Sequence, residues 1–232
     1  MTALEQNKQK PSSGLIAKTY KIFVKFIYCI HQEENPDNYL KELSAVILQS
    51  NQSLDYPFES IRKIIEELGN IFPNNMEYDY LVDNLAEVSE KRNSELSSGE
   101  IFLNRGGQKL FAEYHKESIV YFGKAVMKLA KDESQDSMVL VLLGLGLSYR
   151  ELGLIWASNN CYISACSISF KSMSENGILN NRTYQCLEEI IKNELFRISR
   201  NIKEYQEVSQ LDLLKVLWMR IEKYVHWKIM KY

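Results

Sequence analysis

The sequence predicts an all-α protein of about eight or nine helices, and three observations lead to this fold class. Apolar residues recur at spacings of three and four along most of the chain, as they do on one face of a helix. Only four prolines occur in 232 residues and none follows Pro73, so the latter two thirds can be helical nearly throughout. Two segments in the middle of the chain also repeat one pattern of small and aromatic residues.

The first half is expected to form four helices. The first covers Gly14 to His31, with an apolar face made of Ile16, Phe23, Phe26, Ile27 and Ile30. Asp37 is placed to cap the second helix, which runs to about Gln49. The fourth covers about Glu77 to Arg92, and its inward residues are Tyr78, Leu81, Leu85 and Val88. The short connections between these helices imply antiparallel neighbours.

The second half begins with a capping-box pattern at Ser97 and Glu100, which predicts a helix start there. A long helix is predicted over about Asn181 to Lys203, with Leu187, Ile191, Leu195 and Ile198 on one face. A last helix, rich in leucine, runs from about Ser209 to Tyr232 and ends while still apolar. We therefore expect this last helix to continue into more chain, or to dock on a second copy or another partner.

The repeated pattern is clearest between Leu142 and Ala165. Its first arm carries Leu145, Gly146 and Tyr149, Gly153 stands at the turn, and the second arm carries Ser158, Tyr162 and Ala165. An earlier copy lies 40 positions upstream, with Gly106, Ser118, Phe122 and Ala125. Small residues let two helices approach closely, and the aromatic residues fill the space between neighbouring pairs. Gly153 can adopt positive φ and end the first arm.

These residues resemble the tetratricopeptide repeat, in which Trp, Leu-Gly and Tyr mark the first helix and Ala and an aromatic residue mark the second. Leu142 stands at the Trp position. A generic array of helical hairpins is the alternative, since any packed hairpin favours small and aromatic residues at these spacings. The resemblance covers about residues 100–176 and implies antiparallel hairpins stacked as a TPR-like α-solenoid.

The predicted organisation has four parts: a disordered leader over 1–13, an N-terminal helical region over 14–96, TPR-like repeats over 97–177, and long C-terminal helices over 178–232 that continue the repeats. In the family that the repeats resemble, the first helix of each pair lines the groove that binds a peptide. Carried onto this chain, the partner-binding positions are Leu140, Leu143, Leu147, Arg150 and Glu151. Leu143 and Leu147 stand where carboxylate-clamping members carry Lys and Asn, so an apolar ligand is favoured, or burial of the groove by the N-terminal helices.

The sequence contains no pattern that predicts catalysis, a metal site or a cofactor. It lacks a P-loop, a dinucleotide fingerprint and a nucleophile elbow. The three histidines are isolated, and the four cysteines form no C-x2-C pair, so buried free thiols in a reducing cytosol are expected. Arg105-Gly106-Gly107 has two interpretations, anion binding and helix packing, and packing is favoured.

The resemblance implies a non-enzymatic protein-interaction scaffold, and the sequence as a whole predicts a cytoplasmic protein. No signal peptide is predicted, because the first apolar run begins only at Leu15, after a polar leader. No membrane span is predicted, because the run from Gly14 to Ile30 contains three lysines, each costly at a bilayer centre. The net charge of −2 argues against a dedicated nucleic-acid surface. The first function is binding of a peptide or a partner helix, with a homo-oligomer also open. The second is a sensing or regulatory segment of a larger, bacterial-type signalling or defence protein. Nucleic-acid binding is a weaker third, and the lysines of the first helix leave a membrane-surface role as a minor possibility.

Overall fold

The structure is a computed structural model that describes residues 11–53, 55–130, 135–176 and 181–201; of residues 11–13, 171–176, 181 and 198–201 only the backbone is described. The described backbone contains nine α-helices and no strand, which confirms the all-α class within those ranges. The helices are α1 Pro11–His31, α2 Asp37–Ser50, α3 Phe58–Leu68, α4 Met76–Arg92, α5 Glu95–Phe111, α6 His115–Leu129, α7 Gln135–Glu151, α8 Ile155–Asn176 and α9 Asn181–Asn201. The predicted last helix lies outside the described residues, as does most of the predicted leader.

The chain divides into two compact units, residues 1–130 and 131–232. The first contains α1 to α6 and the second contains α7 to α9. The two predicted copies of the hairpin thus belong to different units, α5–α6 to the first and α7–α8 to the second. The predicted boundaries after residues 96 and 177 remain predictions.

The first unit has a core shared by most of its helices. α2 packs against α1 and α4, α4 packs against α5, and α5 forms a tight hairpin with α6. The predicted inward face of α4 is confirmed, because Tyr78, Leu81, Leu85 and Val88 are all buried. Each large apolar side chain that is fully buried in this way stabilises the fold by about 1.5–3 kcal/mol.

Three local predictions in this unit were wrong. Asp37 does not cap the second helix: it is the first residue of α2, Pro36 stands at the N-cap, and no side chain caps that end. Ile27 does not belong to the buried face of α1: it is 62% exposed, and Ile22 and Cys29 are buried instead. The helix predicted to start at Ser97 starts earlier, because the Ser94 side chain caps it by accepting a hydrogen bond from the N–H of Ser97 at 3.3 Å. The hydroxyl of Ser97 contacts that of Ser89 instead, at 2.8 Å.

Arg105 fixes the connection between α3 and α4. Its guanidinium is 1% exposed and donates to the carbonyl oxygens of Gly69 and Phe72, at 3.2 Å and 2.9 Å. It also donates to Asp79, with contacts of 2.8 Å and 2.6 Å, and the equally buried Lys109 donates to the second oxygen of that carboxylate at 2.7 Å. Since the guanidinium is occupied by these groups, Arg105 has a structural role, and the anion-binding interpretation is not supported.

The second unit is a hairpin of α7 and α8 with α9 packed against α8. Its core is a cluster of Val139, Leu143, Tyr162, Ala165, Cys166 and Cys186, with Leu187 and Ile190 packed against it. The buried face of α9 is rotated about the helix axis relative to the predicted face through Leu187 and Leu195. Leu195 is exposed, whereas Thr183, Cys186 and Asn193 are fully buried.

The two predicted hairpin copies use the same close contact. A Cβ atom added to Gly106 would lie 2.6 Å from Cδ1 of Phe122, and one added to Gly146 would lie 2.2 Å from Cε1 of Tyr162. No real Cβ atom tolerates such distances, so in each hairpin an aromatic ring lies directly on a glycine. Ser118 and Ser158, at the start of the second arms, are both fully buried. The predicted close approach at the small residues is therefore confirmed in both hairpins, but Phe122 and Tyr162 pack inside their own hairpins rather than only between neighbouring pairs.

The hairpins also share one turn. Glu113 and Gly153 have positive φ angles of 66° and 76°, and Glu33, which follows α1, has 58°. In each turn the next residue donates its N–H to the carbonyl five positions back: Glu34 to Cys29 at 3.0 Å, Tyr114 to Lys109 at 2.9 Å, and Leu154 to Tyr149 at 2.8 Å. This is the Schellman arrangement, and it confirms that Gly153 ends the first arm of its hairpin.

Candidate interaction surface

The five residues predicted to bind a partner all lie on α7, but their environments differ. Leu140 is 39% exposed and Leu147 is half-buried, so both are accessible. Leu143 is 6% exposed and belongs to the core cluster around Tyr162. A partner contact at Leu143 would require that core to open, whereas Leu140 and Leu147 remain available for the predicted role.

Arg150 and Glu151 stand at the end of α7, and they too differ in how accessible their side chains are. Arg150 forms an ion pair with Glu189 on α9, and its Nε lies 3.6 Å from the carboxylate of Glu151. Glu151 is half-exposed, while Arg150 is directed to α9. Arg150 therefore holds α9 on the hairpin, and a partner would compete with Glu189 for it.

Glu189 is the centre of a polar network between α9 and the hairpin. Burial alone would raise the pKa of its carboxyl, but hydrogen bonds from Lys192 and Arg150 outweigh that effect and lower the pKa below its usual value. Asn193, fully buried, donates to the hydroxyl of Ser158 at 2.7 Å and to the side-chain oxygen of Asn159 at 2.8 Å. These directional bonds fix the position of α9 along α8.

An open groove lies where α7 turns into α8, beside the second half of α9. Its volume is about 480 Å³, and its lining is Gly153, Leu154, Ile155, Trp156, Ala157, Phe196 and Arg197. Trp156 is 72% exposed and Leu154 is 51% exposed. Large apolar side chains with this much exposure, grouped around one concavity, are typical of a binding surface.

Arg197 supplies the charge of the groove. Its guanidinium lies 5.9 Å from the centre of the Trp156 ring, within cation–π range. Two of its nitrogens donate to one carboxylate oxygen of Glu194, at 3.1 Å and 2.8 Å. Because Glu194 and Trp156 hold the guanidinium in place, Arg197 and the indole ring form a preformed wall that combines an aromatic face with hydrogen-bond donors.

Sequence reasoning did not find this groove. Residues 153–157 and 196–197 are 40 positions apart, and only the packing of α9 along α8 brings them together. One signal was available: the first turn of α8 is strongly apolar, since Leu154, Ile155 and Trp156 directly follow the turn glycine Gly153.

Reactive chemistry is not evident in the described part of the chain. Cys161, Cys166 and Cys186 lie in the second unit, where burial raises the pKa of their thiols to about 11, 12 and 11 and so disfavours the reactive thiolate. The fourth cysteine, Cys29, is also free, and burial, with the nearby Glu34 carboxylate, raises the pKa of its thiol. Within the described ranges no group of three or more His, Cys, Asp or Glu side chains is arranged to hold a metal ion.

Comparison with known proteins gave no match, whether with family models, curated proteins or solved structures. The likeness to tetratricopeptide repeats therefore rests on the residues of the two hairpins alone. None of the helices in the described part of the chain has the length and apolar character needed to span a bilayer.

Proposed function

We propose that this protein is a non-enzymatic interaction scaffold, and that the groove beside Trp156 binds an apolar segment of a partner protein. The observation that carries the proposal is the 72% exposure of Trp156 in a groove that Arg197 also lines. Exposing an indole ring to water is costly, and Trp and Arg are the residues most enriched among those that dominate binding energy.

The groove is suited to an apolar anchor with a polar neighbour. Leu154, Ile155 and Phe196 supply an apolar lining, which favours a Leu, Met or aromatic side chain of the ligand. The fixed guanidinium of Arg197 can donate to a backbone carbonyl or a carboxylate beside that anchor. The ligand class is therefore a short peptide segment with one large apolar side chain next to an acceptor.

The scaffold around the groove supports this role because it is built to be rigid. The glycine–aromatic contact, the Schellman turn at Gly153 and the network around Glu189 each restrict the hairpin and α9. A preformed groove loses little conformational entropy when it binds, which favours affinity. We extend the proposal to the whole chain as a TPR-like array of helical hairpins, on the strength of the shared contact and turn in α5–α6 and α7–α8.

The test is selection of peptides on the full chain, followed by measurement of their dissociation constants. A displayed library of random peptides is selected on the immobilised protein, and the enriched peptides are titrated against wild type and Trp156→Ala by fluorescence anisotropy. We expect Trp156→Ala to cost about 2 kcal/mol or more, which is about a 30-fold loss of affinity.

The matched control is Tyr184→Ala, which removes another highly exposed aromatic side chain of the same unit from a position outside the groove lining. This variant is expected to bind the peptides as wild type does. Circular dichroism and urea unfolding check that both variants remain folded. Selected peptides that bind Trp156→Ala with wild-type affinity would show that the groove is not the binding site.

A further inference from the structure

Helix α1 has two apolar faces. Ile22, Phe23 and Phe26 face the core of the first unit. On the opposite side, four large apolar side chains are between 51% and 68% exposed: Tyr20, Val24, Ile27 and Tyr28. Their spacing of i, i+4, i+7 and i+8 places them in one stripe, about 12 Å long at 1.5 Å per residue. We call these four residues the α1 stripe.

The α1 stripe is too apolar to be an ordinary solvated face. A helix with a single partner has one apolar stripe and a polar opposite face. Removing apolar surface from water is favourable, so leaving four large side chains exposed forgoes a stabilisation that a second partner would supply. The pattern is that of a helix with a second partner, whose packing would bury the stripe.

The charge beside the stripe is uniformly positive. Lys18, Lys21 and Lys25 are exposed, and the described side chains of α1, from Gly14 to His31, include no Asp or Glu. None of the three lysines has an ion pair within the part of the chain that the structure describes. Lys21 and Lys25 directly follow Tyr20 and Val24, so all three cations lie along one flank of the stripe.

We propose that the α1 stripe binds an acidic amphipathic helix of another protein. Such a helix would present apolar residues at i, i+3 or i+4, and i+7 to the stripe, and Glu or Asp side chains to the lysine flank. Apolar burial would supply most of the affinity. The ion pairs at the rim would set orientation and partner choice, as flanking charges do between paired helices.

An anionic membrane fits this surface less well than a helix does. Glu33 and Glu34, both exposed, stand two and three residues after the end of α1. A flat bilayer lying along the stripe would bring its negative surface close to these two carboxylates. A partner helix is narrow enough to contact the stripe and the lysines without reaching the turn after α1.

A second copy of this chain also fits less well. If two copies of α1 packed antiparallel about a two-fold axis, the lysine flanks would lie on the same side of the interface. Lys21 and Lys25 of one copy would then face the same residues of the other, and like charges across an interface are unfavourable. The charge pattern therefore disfavours this antiparallel pairing and favours a partner of opposite sign.

The test uses two synthetic helical peptides with the same apolar residues, one carrying Glu at every flanking position and the other Lys. Each is titrated against the full chain by fluorescence anisotropy at low and at physiological salt. The acidic peptide is expected to bind at least tenfold more tightly than the basic peptide, and to weaken as salt rises. Equal binding of the two peptides, or of neither, would overturn the proposal.

Two variants locate the binding on α1. Val24→Asp places a charge in the centre of the stripe at an exposed position, and is expected to abolish binding without unfolding the protein. Lys21→Glu with Lys25→Glu is expected to lose at least tenfold in affinity for the acidic peptide and to gain affinity for the basic one. The control, Lys63→Glu with Lys116→Glu, makes the same charge change at exposed positions on α3 and α6 and should bind as wild type does.

Two further measurements decide between occupants. Co-sedimentation of wild type, but not of Lys21→Glu with Lys25→Glu, with phosphatidylserine vesicles would overturn the proposal in favour of a membrane. Dimerisation in light scattering that Val24→Asp abolishes would overturn it in favour of a second copy. Trp156→Ala is expected to leave peptide binding at α1 unchanged, so this proposal and that for the groove fail or stand separately.

Discussion

Two neighbouring glycines of α5 allow a direct test of the hairpin contact. An added Cβ at Gly106 would lie 2.6 Å from the ring of Phe122, whereas one at Gly107 would meet nothing within 4 Å. Both residues lie in the same helix, so replacing either by Ala raises helix propensity by the same amount, about 1 kcal/mol. The variants Gly106→Ala and Gly107→Ala therefore differ only in the steric conflict.

The size of that conflict follows from the surroundings of the ring. Phe122 is 2% exposed, so it cannot move away without displacing the core, and overpacking of this kind costs about 1–3 kcal/mol. Gly107→Ala is expected to stabilise the protein by about 1 kcal/mol. Gly106→Ala is expected to be less stable than Gly107→Ala by the full overpacking cost, because the propensity gain is common to both.

The assay is equilibrium unfolding in urea, followed by far-ultraviolet circular dichroism. A double-mutant cycle adds Phe122→Leu, a smaller side chain, and the coupling between the two sites should be at least about 0.5 kcal/mol if they are in contact. Equal stability of Gly106→Ala and Gly107→Ala would refute the contact, and with it the shared geometry of the two hairpins.

Three further predictions concern turns and charges, and each is read from urea unfolding curves. Glu113→Gly should stabilise the protein by about 1 kcal/mol, because glycine carries no Cβ penalty at positive φ. Gly153→Ala should destabilise it by a similar amount for the same reason. Effects of the opposite sign would contradict the assignment of these turns as Schellman motifs. Asp79→Asn leaves two buried cations without a carboxylate and should cost about 3–5 kcal/mol. Asp83→Asn, which removes a half-exposed ion pair, should cost at most about 1 kcal/mol, and equal losses would show that the burial of the cations is unimportant. The pKa of the Glu189 carboxyl is lowered in the folded state, so its contribution to the free energy of unfolding is present above the unfolded pKa of about 4.3 and is lost as the pH falls below that value. The difference in stability between wild type and Glu189→Gln should therefore shrink between pH 6 and pH 3. A difference that stays constant over this range would exclude the linkage.

The close approach of the two arms of each hairpin could be predicted from the sequence because it depends on local spacing. Gly146 and Tyr162 lie 16 positions apart in the two arms of one hairpin, and the turn at Gly153 fixes their register. A small residue facing a large one is then the only close packing available. The same spacing at Gly106 and Phe122 gave the same result 40 positions earlier.

The orientation of apolar helices was harder to predict. The first arm of the clearer hairpin reads LLGLGL around Leu143, and no polar residue marks which leucine faces outward. Leu143 was accordingly expected in a groove, although it lies in the core. Ile27 shows the same difficulty, since α1 is apolar on both sides and periodicity alone cannot separate the buried face from the stripe.

Helix starts and distant contacts were missed for different reasons. Ser94 and Ser97 both fit a cap, and only the backbone decides which one accepts from the helix N–H groups. The groove depends on Trp156 and Arg197, whose proximity results from the packing of α9, and a single sequence contains no signal for that packing. Prediction was therefore reliable for the hairpins and their turn, and poor for the outward face of apolar helices, for one helix start and for contacts between distant helices.

The hydrogen bonds from Arg105 to the connection between α3 and α4 have a consequence for how the chain is synthesised and how it should be truncated. The backbone oxygens that Arg105 binds precede it by 32 to 36 residues. At a translation rate of about 5–20 residues per second, Arg105 is therefore synthesised roughly 2–7 seconds after them. Until then the stretch between α3 and α4 has only water as a partner for those oxygens. A shortened protein that stops before Arg105 would expose this stretch to proteases and chaperones permanently, so a first-unit fragment should retain every residue up to Ala130.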